Sequence, residues 1–422
     1  MERLRFSAAT FLWLIVVLVA GSRAAVILTS HDDAQIDLSI YQEVGQLVVN
    51  GVDPYDFTGN GAKRTELRMD GHGVGDWAKT EEAAYNFYVS GNLPGSTAFY
   101  GLVEWATHGN LRLWRLVLAL GDVAVAVLAF FLLRQRGVAL ETATDQRLFA
   151  LAVVLYPSLI YWGLIRAEDK QFEIALLLLV ALLTGRTPKS AGRSALLVGA
   201  AFSLSVVFKA LGVFLAPLVA GYFWRRPWKE AAIAAVGALL VALLLCVFFD
   251  RAFFELMFAR FASGTVTAGT AIHASPWQLF PQPVFLIGRP LVVAGLAAML
   301  LAGWLRGTID LLNLCAGALL IAICIATVNG SMDRMNIAMI FAMFCVAGLS
   351  SVGWRRLVAF NVCVQLPIYA VMVGRADWLN FVNGETPDAI ATLLFLISYV
   401  WIVAPLALGP VRSPAAFHGR EA

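Results

Sequence analysis

The side chain best suited to acid–base chemistry is that of Asp37, which opens a predicted helix just after an apolar N-terminal stretch. A carboxylate at this boundary between water and lipid can accept a proton from a substrate hydroxyl. The alternative is that it serves only as an N-cap for free backbone N–H groups. Asp32 and Asp33 lie just before it, and capping needs a single carboxylate. We therefore expect Asp37 to be a general base.

Three other side chains are candidates for holding a phosphate. Lys209 lies between Phe208 and Ala210 with apolar stretches on both sides, so its ammonium must reach the membrane surface or meet an anion. Arg260 offers a planar fork that matches phosphate oxygens. His273 can donate to an anion or shuttle a proton, although a single loop histidine is more often structural or solvated.

A charged run from Arg166 to Lys170 interrupts two apolar stretches and contains Glu168 and Asp169. Short runs of this kind are often solvated helix caps. Charged groups that border the membrane interior are otherwise paired or functional, because burying an isolated charge is costly. We expect this run to lie on the same face as Asp37.

Two clusters have metal-ligand side chains, but neither favours a metal site. One comprises His31, Asp32 and Asp33, and the other comprises Asp70, His72 and Asp76. Adjacent carboxylates rarely converge on one ion without a further ligand from elsewhere. We expect neither a metal nor a cofactor.

The composition requires a membrane protein to position these residues. The chain has 422 residues, of which 60% are hydrophobic and 14% charged, whereas soluble domains are nearer half apolar and a quarter charged. A net charge of +3 is too small to suggest a nucleic-acid partner. Apolar runs of about 20 residues cross a bilayer, and we predict an all-α polytopic protein, residues 1–422, with about 12 transmembrane helices.

The charge pattern predicts the topology. With a cytoplasmic N-terminus, the short Arg- and Lys-rich connections all face the cytoplasm, as the positive-inside rule expects. Two long polar segments, 29–111 and 250–283, then form external loops, and both termini are cytoplasmic. Near Lys209 we predict spans at Ala195–Phe208 and Leu211–Trp224, which are short enough to form a re-entrant hairpin instead.

The first external loop contains two predicted amphipathic helices. Ile40, Val44 and Leu47 recur at helical spacing, which predicts a helix lying on the membrane surface and ending at Asn50-Gly51. A second helix, Gly95–Thr107, has aromatic side chains suited to the interface, Tyr100 and Trp105.

Two motifs in this loop resemble those of the GT-C superfamily of membrane glycosyltransferases. They are Asp37-Leu38-Ser39-Ile40-Tyr41 and Gly51-Val52-Asp53-Pro54-Tyr55. In order and spacing they are most similar to the polyprenyl-phosphate-mannose-dependent mannosyltransferases of glycosyltransferase family 87. A helix-end Lys followed by Pro217-Leu218 and a basic turn adds to the resemblance, which covers roughly the first 230 residues.

The resemblance implies an inverting, metal-independent transfer of a single sugar, for which mannose is the first candidate. The donor would be a polyprenyl phosphate and the acceptor a hydroxyl of a glycolipid or glycan, on the outer side of a bacterial cell membrane. Asp37 would be the base, and Lys209, Arg260 and His273 would hold the phosphate. The acceptor or sugar would be bound by four further residues: Tyr41, Asp33, Glu168 and Asp169.

Two other functions suit the same features. A transporter or flippase of lipid-linked sugars also needs a cationic site among apolar helices. A polymerase or ligase of lipid-linked glycans would use a diphosphate-linked oligosaccharide as donor. We expect the lipid bilayer to be a partner in each case, and no nucleic acid.

Overall fold

A computed structural model describes most of the helical part of the chain. The described residues are 6–29, 36–56, 92–154 apart from 139 and 141, 167–185, 191–255 apart from 225, 276–326, 332–347 and 385–408, with isolated positions at 156, 159–160, 164 and 359. Throughout these ranges the regular structure is helical, with no strand. This confirms the all-α prediction for the described part of the chain.

The helices follow one another with short connections wherever consecutive elements are described. In chain order they are α1 Ala8–Thr29, α2 Ile36–Val49, α3 Pro94–Thr107, α4 Leu111–Gln135, α5 Ala143–Val154, α6 Lys170–Thr184, α7 Ala191–Lys209, α8 Ala216–Trp224, α9 Trp228–Leu244, α10 Gln282–Leu305, α11 Leu311–Leu320, α12 Met332–Ala347 and α13 Glu385–Leu408.

Four of the described helices are long and apolar enough to cross a membrane: Ala8–Thr29, Leu111–Gln135, Ala191–Lys209 and Pro283–Leu305. Shorter apolar segments follow in the second half, among them Leu311–Ala326 and Thr392–Pro405. The helix α10 exposes large apolar side chains such as Ile287 and Leu291, as contact with lipid requires. A membrane-embedded helical protein fits these features, and the figure of about 12 spans stays a prediction.

An ion pair buried between membrane spans joins α1 to α4. Arg23 Nε donates to Asp122 Oδ2 at 2.9 Å, and the two side chains are 3% and 1% exposed. A second guanidinium nitrogen of Arg23 donates to the carbonyl oxygen of Val154. A buried charge is tolerated where it is paired and hydrogen-bonded, so this contact fixes how α1 and α4 pack.

The predicted surface helix packs against protein instead of lipid. Val44 and Leu47 of α2 are fully buried, in a cluster that includes Tyr100 of α3 and Trp114 of α4. A Cβ at Gly45 would lie 2.7 Å from the Tyr100 carbonyl oxygen, so glycine permits the close approach of α2 to α3. The apolar side that the spacing predicted is therefore covered by α3 and α4, and the position of α2 at the membrane surface stays a prediction.

The boundaries of α2 also differ in part from the prediction. The helix ends at Val49, with Gly51 at a φ of 66°, as the Asn-Gly signal predicted. It begins at Ile36, so Asp37 lies within the first turn and not at the N-cap. The free N–H groups of a first turn still favour a carboxylate there.

The helix α7 is longer than predicted and ends at the cation of interest. It spans 19 residues, Ala191–Lys209, which is enough to cross the apolar core with some tilt or thinning. Ala210 has a φ of 63°, and this left-handed residue ends the helix. A 3₁₀ turn at Leu211–Leu215 then leads into α8, and Lys209 lies at the C-terminal end of α7.

Candidate functional site

Parts of four helices meet at one place and bring together polar side chains from distant parts of the chain. The contributing elements are α2, the N-terminal half of α3, the first residue of α6 with the two residues before it, and the C-terminus of α7. We call the group the lysine–tyrosine cluster; its members are Tyr41, Tyr100, Glu168, Asp169, Lys170 and Lys209.

The Asp169 carboxylate lies at the centre of the cluster and is fully buried. Tyr100 Oη donates to Asp169 Oδ2 at 2.6 Å, and Lys209 Nζ lies 3.0 Å from the same oxygen. Tyr41 Oη donates to Oδ1 at 3.3 Å, and Lys170 Nζ lies 3.6 Å from Oδ1. Both carboxylate oxygens of Asp169 therefore have donors within the protein.

The two lysines lie beside the ring of Tyr41. Lys170 Nζ is 6.0 Å and Lys209 Nζ is 5.9 Å from the ring centroid, at the outer limit of a cation–π contact. Lys170 also donates to Tyr41 Oη at 3.4 Å and lies 3.5 Å from Glu168 Oε2. The Tyr41 and Tyr100 rings stack with centroids 4.6 Å apart, which fixes both hydroxyls toward Asp169.

Local structure explains why these groups converge. Asp169 precedes the first residue of α6, but its side chain makes no capping hydrogen bond and is used in the cluster instead. The start of α3 lies against the end of α7, since Ser96 Oγ donates to the Phe208 carbonyl oxygen. Lys209 at the end of α7 is also favoured by the negative end of the helix dipole.

Electrostatics determine the charge of the central groups. Burial acts to raise the pKa of the Asp169 carboxyl, but the ammonium groups of Lys209 and Lys170 outweigh it and hold the pKa below its usual value. Burial, together with the neighbouring Asp169 carboxylate, raises the pKa of Tyr100 well above its ordinary value. Asp169 is therefore an anion and Tyr100 a neutral hydrogen-bond donor at neutral pH.

The structure brings together four of the residues singled out in the sequence: Tyr41, Glu168, Asp169 and Lys209. Lys209 pairs with Asp169 in the described chain, whereas the sequence suggested a phosphate. Asp33, Arg260 and His273 lie outside the described residues, and the side chain of Asp37 does so too. Their roles stay predictions.

Sequence reasoning missed two members of the cluster, Tyr100 and Lys170. Tyr100 was expected at the lipid interface but is fully buried, and its hydrogen-bond partner lies 69 residues away in the chain. Lys170 was read as part of a charged loop. The signal that was available is Gly45, because a glycine within a helix indicates that another element approaches closely.

A further carboxyl lies one turn along α6. Glu173 is fully buried, and neither of its oxygens has a hydrogen-bond partner among the described residues. It lies within the electrostatic range of Lys209 and Asp169. An unpartnered buried carboxyl is most stable as the neutral acid.

The two predicted loop segments meet beside the cluster. The Tyr55 and Phe253 rings make an edge contact with centroids 5.1 Å apart, and Tyr55 Oη donates to the Asn92 carbonyl oxygen. Burial and a hydrogen bond with Asp250 raise the pKa of Asp53 to about 7. We call the contact of residues 53–55 with residues 250–253 the loop clasp.

No protein-family model matches the chain, and no match is found among curated proteins. Within the described residues, no group of three His, Cys, Asp or Glu side chains is arranged to hold a metal ion. The chemistry that the lysine–tyrosine cluster itself offers is the binding of an anion by two ammonium groups at a helix end, next to hydroxyl donors.

Proposed function

We propose that this protein is an inverting, metal-independent glycosyltransferase of the GT-C type. It moves one sugar, mannose in the first instance, from a polyprenyl-phosphate donor to a hydroxyl of a glycolipid or glycan. The reaction takes place on the non-cytoplasmic face of a bacterial cell membrane. The motifs at Asp37–Tyr41 and Gly51–Tyr55 support the family, and the geometry of the lysine–tyrosine cluster supports the chemistry.

The observation that carries the proposal is the contact between α2 and the two lysines. Tyr41 hydrogen-bonds with Asp169 and Lys170, and Asp37 lies four residues earlier in the same helix. Residues four apart lie on the same side of a helix. The position of the proposed base is therefore one helical turn from Tyr41, the side chain that contacts the lysines proposed to hold a phosphate.

In this mechanism the acceptor hydroxyl oxygen forms a bond to the anomeric carbon of the donor sugar. Asp37 accepts the hydroxyl proton at the same time. The bond between that carbon and the phosphate oxygen breaks, and the electron pair leaves with the phosphate. Lys209 and Lys170 stabilise the charge that develops there. Arg260 and His273 are proposed as further phosphate ligands, and Glu168 is proposed to bind the acceptor or sugar.

Reconstitution tests the proposal directly. The purified protein in liposomes is incubated with polyprenyl-phosphate-linked radiolabelled mannose, together with membrane glycolipid as acceptor. A parallel incubation supplies a radiolabelled lipid-diphosphate-linked oligosaccharide as donor. We expect the label to become covalently attached to the acceptor. Label that only changes leaflet identifies a flippase, and transfer solely from a diphosphate-linked oligosaccharide identifies a polymerase or ligase; either result contradicts the proposal.

Variants of Lys209 test the role of the cluster in the same assay. Lys209→Ala is expected to lower transfer more than Lys209→Arg, because the positive charge matters more than its shape. Lys229 provides the matched control, since it is an exposed lysine on α9, outside the cluster. Lys229→Ala should transfer sugar like the wild type. Unimpaired transfer by Lys209→Ala contradicts a phosphate-binding role.

A further inference from the structure

The carboxylate of Asp169 is unsuited to binding a sugar directly. It is fully buried, and a sugar ligand would have to replace protein donors already present on both oxygens. A buried carboxylate held by two hydroxyls and two ammonium groups instead restricts the positions of its partners. Lys209 and Lys170 retain 19% and 10% side-chain exposure, so neither side chain is sealed off from its surroundings as Asp169 is.

We propose that Asp169 is a positioning residue that holds the ammonium groups of Lys209 and Lys170 against the Tyr41 ring, ready to receive the donor phosphate. Tyr100 fixes Asp169 in turn. The identity of the phosphate rests on the proposed function, whereas the positioning of the lysines does not. Asp169 itself touches neither the sugar nor the acceptor.

The geometry distinguishes this role from that of an ordinary salt bridge. Tyr100 makes the shortest contact to Asp169, and its ring is held by stacking on Tyr41. Asp169, Tyr41 and Tyr100 come from three different elements, so the carboxylate cannot follow Lys209 if that side chain moves. Asp169 therefore determines where the Lys209 ammonium lies at the end of α7.

Glu173 is a described carboxyl near Lys209 that does not belong to the cluster. It lies within the field of Lys209 and lacks a hydrogen-bond partner among the described residues. Glu173 makes no hydrogen bond to Lys209, so if Asp169 loses its charge, Glu173 can ionise and offset only part of the Lys209 charge. A test of Asp169 must therefore include Asp169→Asn both alone and combined with Glu173→Gln.

The first test measures the reactivity of Lys209 and does not need enzyme activity. Reductive methylation at pH 7.5, followed by mass spectrometry, reports how much of each lysine is neutral and accessible. Without the Asp169 charge, Lys209 is an uncompensated partly buried cation, and more of it loses its proton. We expect Asp169→Asn to raise the Lys209 rate by about tenfold, the effect of one pKa unit, while Lys229 is unchanged.

Tyr100→Phe provides a milder variant that keeps the ring stack and removes one hydroxyl. We expect it to raise the Lys209 rate by a smaller factor than Asp169→Asn does, and the double variant Asp169→Asn/Glu173→Gln to raise it most. An unchanged Lys209 rate in both Tyr100→Phe and Asp169→Asn overturns the proposal. An increase in the Lys209 rate that occurs only in the double variant also overturns the proposal, because Glu173 and not Asp169 would then control the charge of Lys209.

The second test uses sugar transfer. A displaced phosphate-binding group lowers turnover by about 10²-fold even though it remains present. We expect Asp169→Asn to lower kcat by this factor with a smaller change in KM, and the effect to add little to that of Lys209→Ala. Normal kcat in Asp169→Asn overturns the positioning role. Absence of transfer in the wild type contradicts the proposed function, and the Lys209 reactivities still decide the inference.

Discussion

At the scale of single residues, the charges of the lysine–tyrosine cluster nearly balance. Glu168 and Asp169 oppose Lys170 and Lys209 at distances of 3.0–3.6 Å. A phosphate that binds there meets ammonium groups whose charge is already partly compensated. In the proposed mechanism its ground state would therefore be held weakly, and the stabilisation would grow as negative charge develops on the leaving phosphate, which is the difference that accelerates a reaction.

Asp37→Asn is expected to separate stability from activity. Asn retains the size of Asp and its ability to accept hydrogen bonds near a helix N-terminus, but it cannot accept a proton at neutral pH. Loss of general-base assistance lowers rates by about 10²- to 10⁴-fold. The measurement is sugar transfer by protein whose expression and thermal unfolding match those of the wild type.

Asp33→Asn is the matched control, because Asp33 is a carboxylate only four residues earlier in the sequence. It should retain more transfer activity than Asp37→Asn does. If Asp37→Asn transfers sugar within a few-fold of the wild-type rate, Asp37 is only a helix-terminal carboxylate and another acid must be the base.

At the scale of secondary-structure elements, the loop clasp predicts a dependence of stability on pH. The pKa of Asp53 is raised from 3.8 to about 7 by burial and by its hydrogen bond with Asp250. Between these values the folded protein retains a proton that the unfolded chain has lost. The contribution of Asp53 to the free energy of unfolding is therefore greatest below about pH 4 and falls as the pH rises to about 7.

Thermal unfolding of three proteins between pH 4 and 8 checks this dependence. Asp53→Asn should lose part of the wild-type slope, because its amide donates to Asp250 without titrating. Asp56→Asn should retain most of that slope, since the charge of Asp56 is the smallest of the causes that raise the pKa of Asp53. If stability depends on pH identically in the wild type and in Asp53→Asn, the proton retained by Asp53 does not cause this dependence.

The packing of α7 on α9 depends on glycine. A Cβ at Gly199 would overlap the backbone carbonyl group of Ala234, so Gly199→Ala must force the helices apart. We expect a loss of about 1–3 kcal/mol in the free energy of unfolding, as for overpacked cores. Thermal unfolding in detergent measures it.

Gly192→Ala in the same helix is the control, because a Cβ there would lie 3.5 Å from Ile233 Cδ1, an ordinary contact. It should be neutral or stabilising by up to about 1 kcal/mol, since alanine favours helix more than glycine does. Equal destabilisation by both substitutions would show that α7 responds to any added methyl group.

At the scale of the whole molecule, the helices were predictable and their partners were not. Apolar runs predict α1, α4, α7 and α10 because a span requires about 20 apolar residues. The spacing of Val44 and Leu47 predicts an apolar helix face. The same apolar side chains suit a face that contacts lipid and a face that contacts protein, so the spacing does not tell the two apart. Tyr100 was not assigned to the site for the same reason, since an aromatic residue suits a membrane interface and a buried cluster equally.

The predicted topology can be tested with exposed residues at opposite ends of the helices. Asn50 and Arg251, the latter with 90% of its side chain exposed, adjoin the two segments of the loop clasp. In a background without native cysteines, Asn50→Cys and Arg251→Cys should react with an impermeant maleimide in intact cells. Lys229→Cys should react only after permeabilisation. The reverse pattern would put the lysine–tyrosine cluster in the cytoplasm.

The buried ion pair of Arg23 with Asp122 also has a consequence for biosynthesis. The two residues are 99 positions apart, and a ribosome adding about 5–20 residues per second needs roughly 5–20 s to cover that distance. During this interval the guanidinium of the first span has no carboxylate partner. Arg23 lies in the last two turns of α1, so its side chain can extend toward the headgroups while it waits. The newly inserted helix therefore carries an unpaired arginine until α4 enters the bilayer.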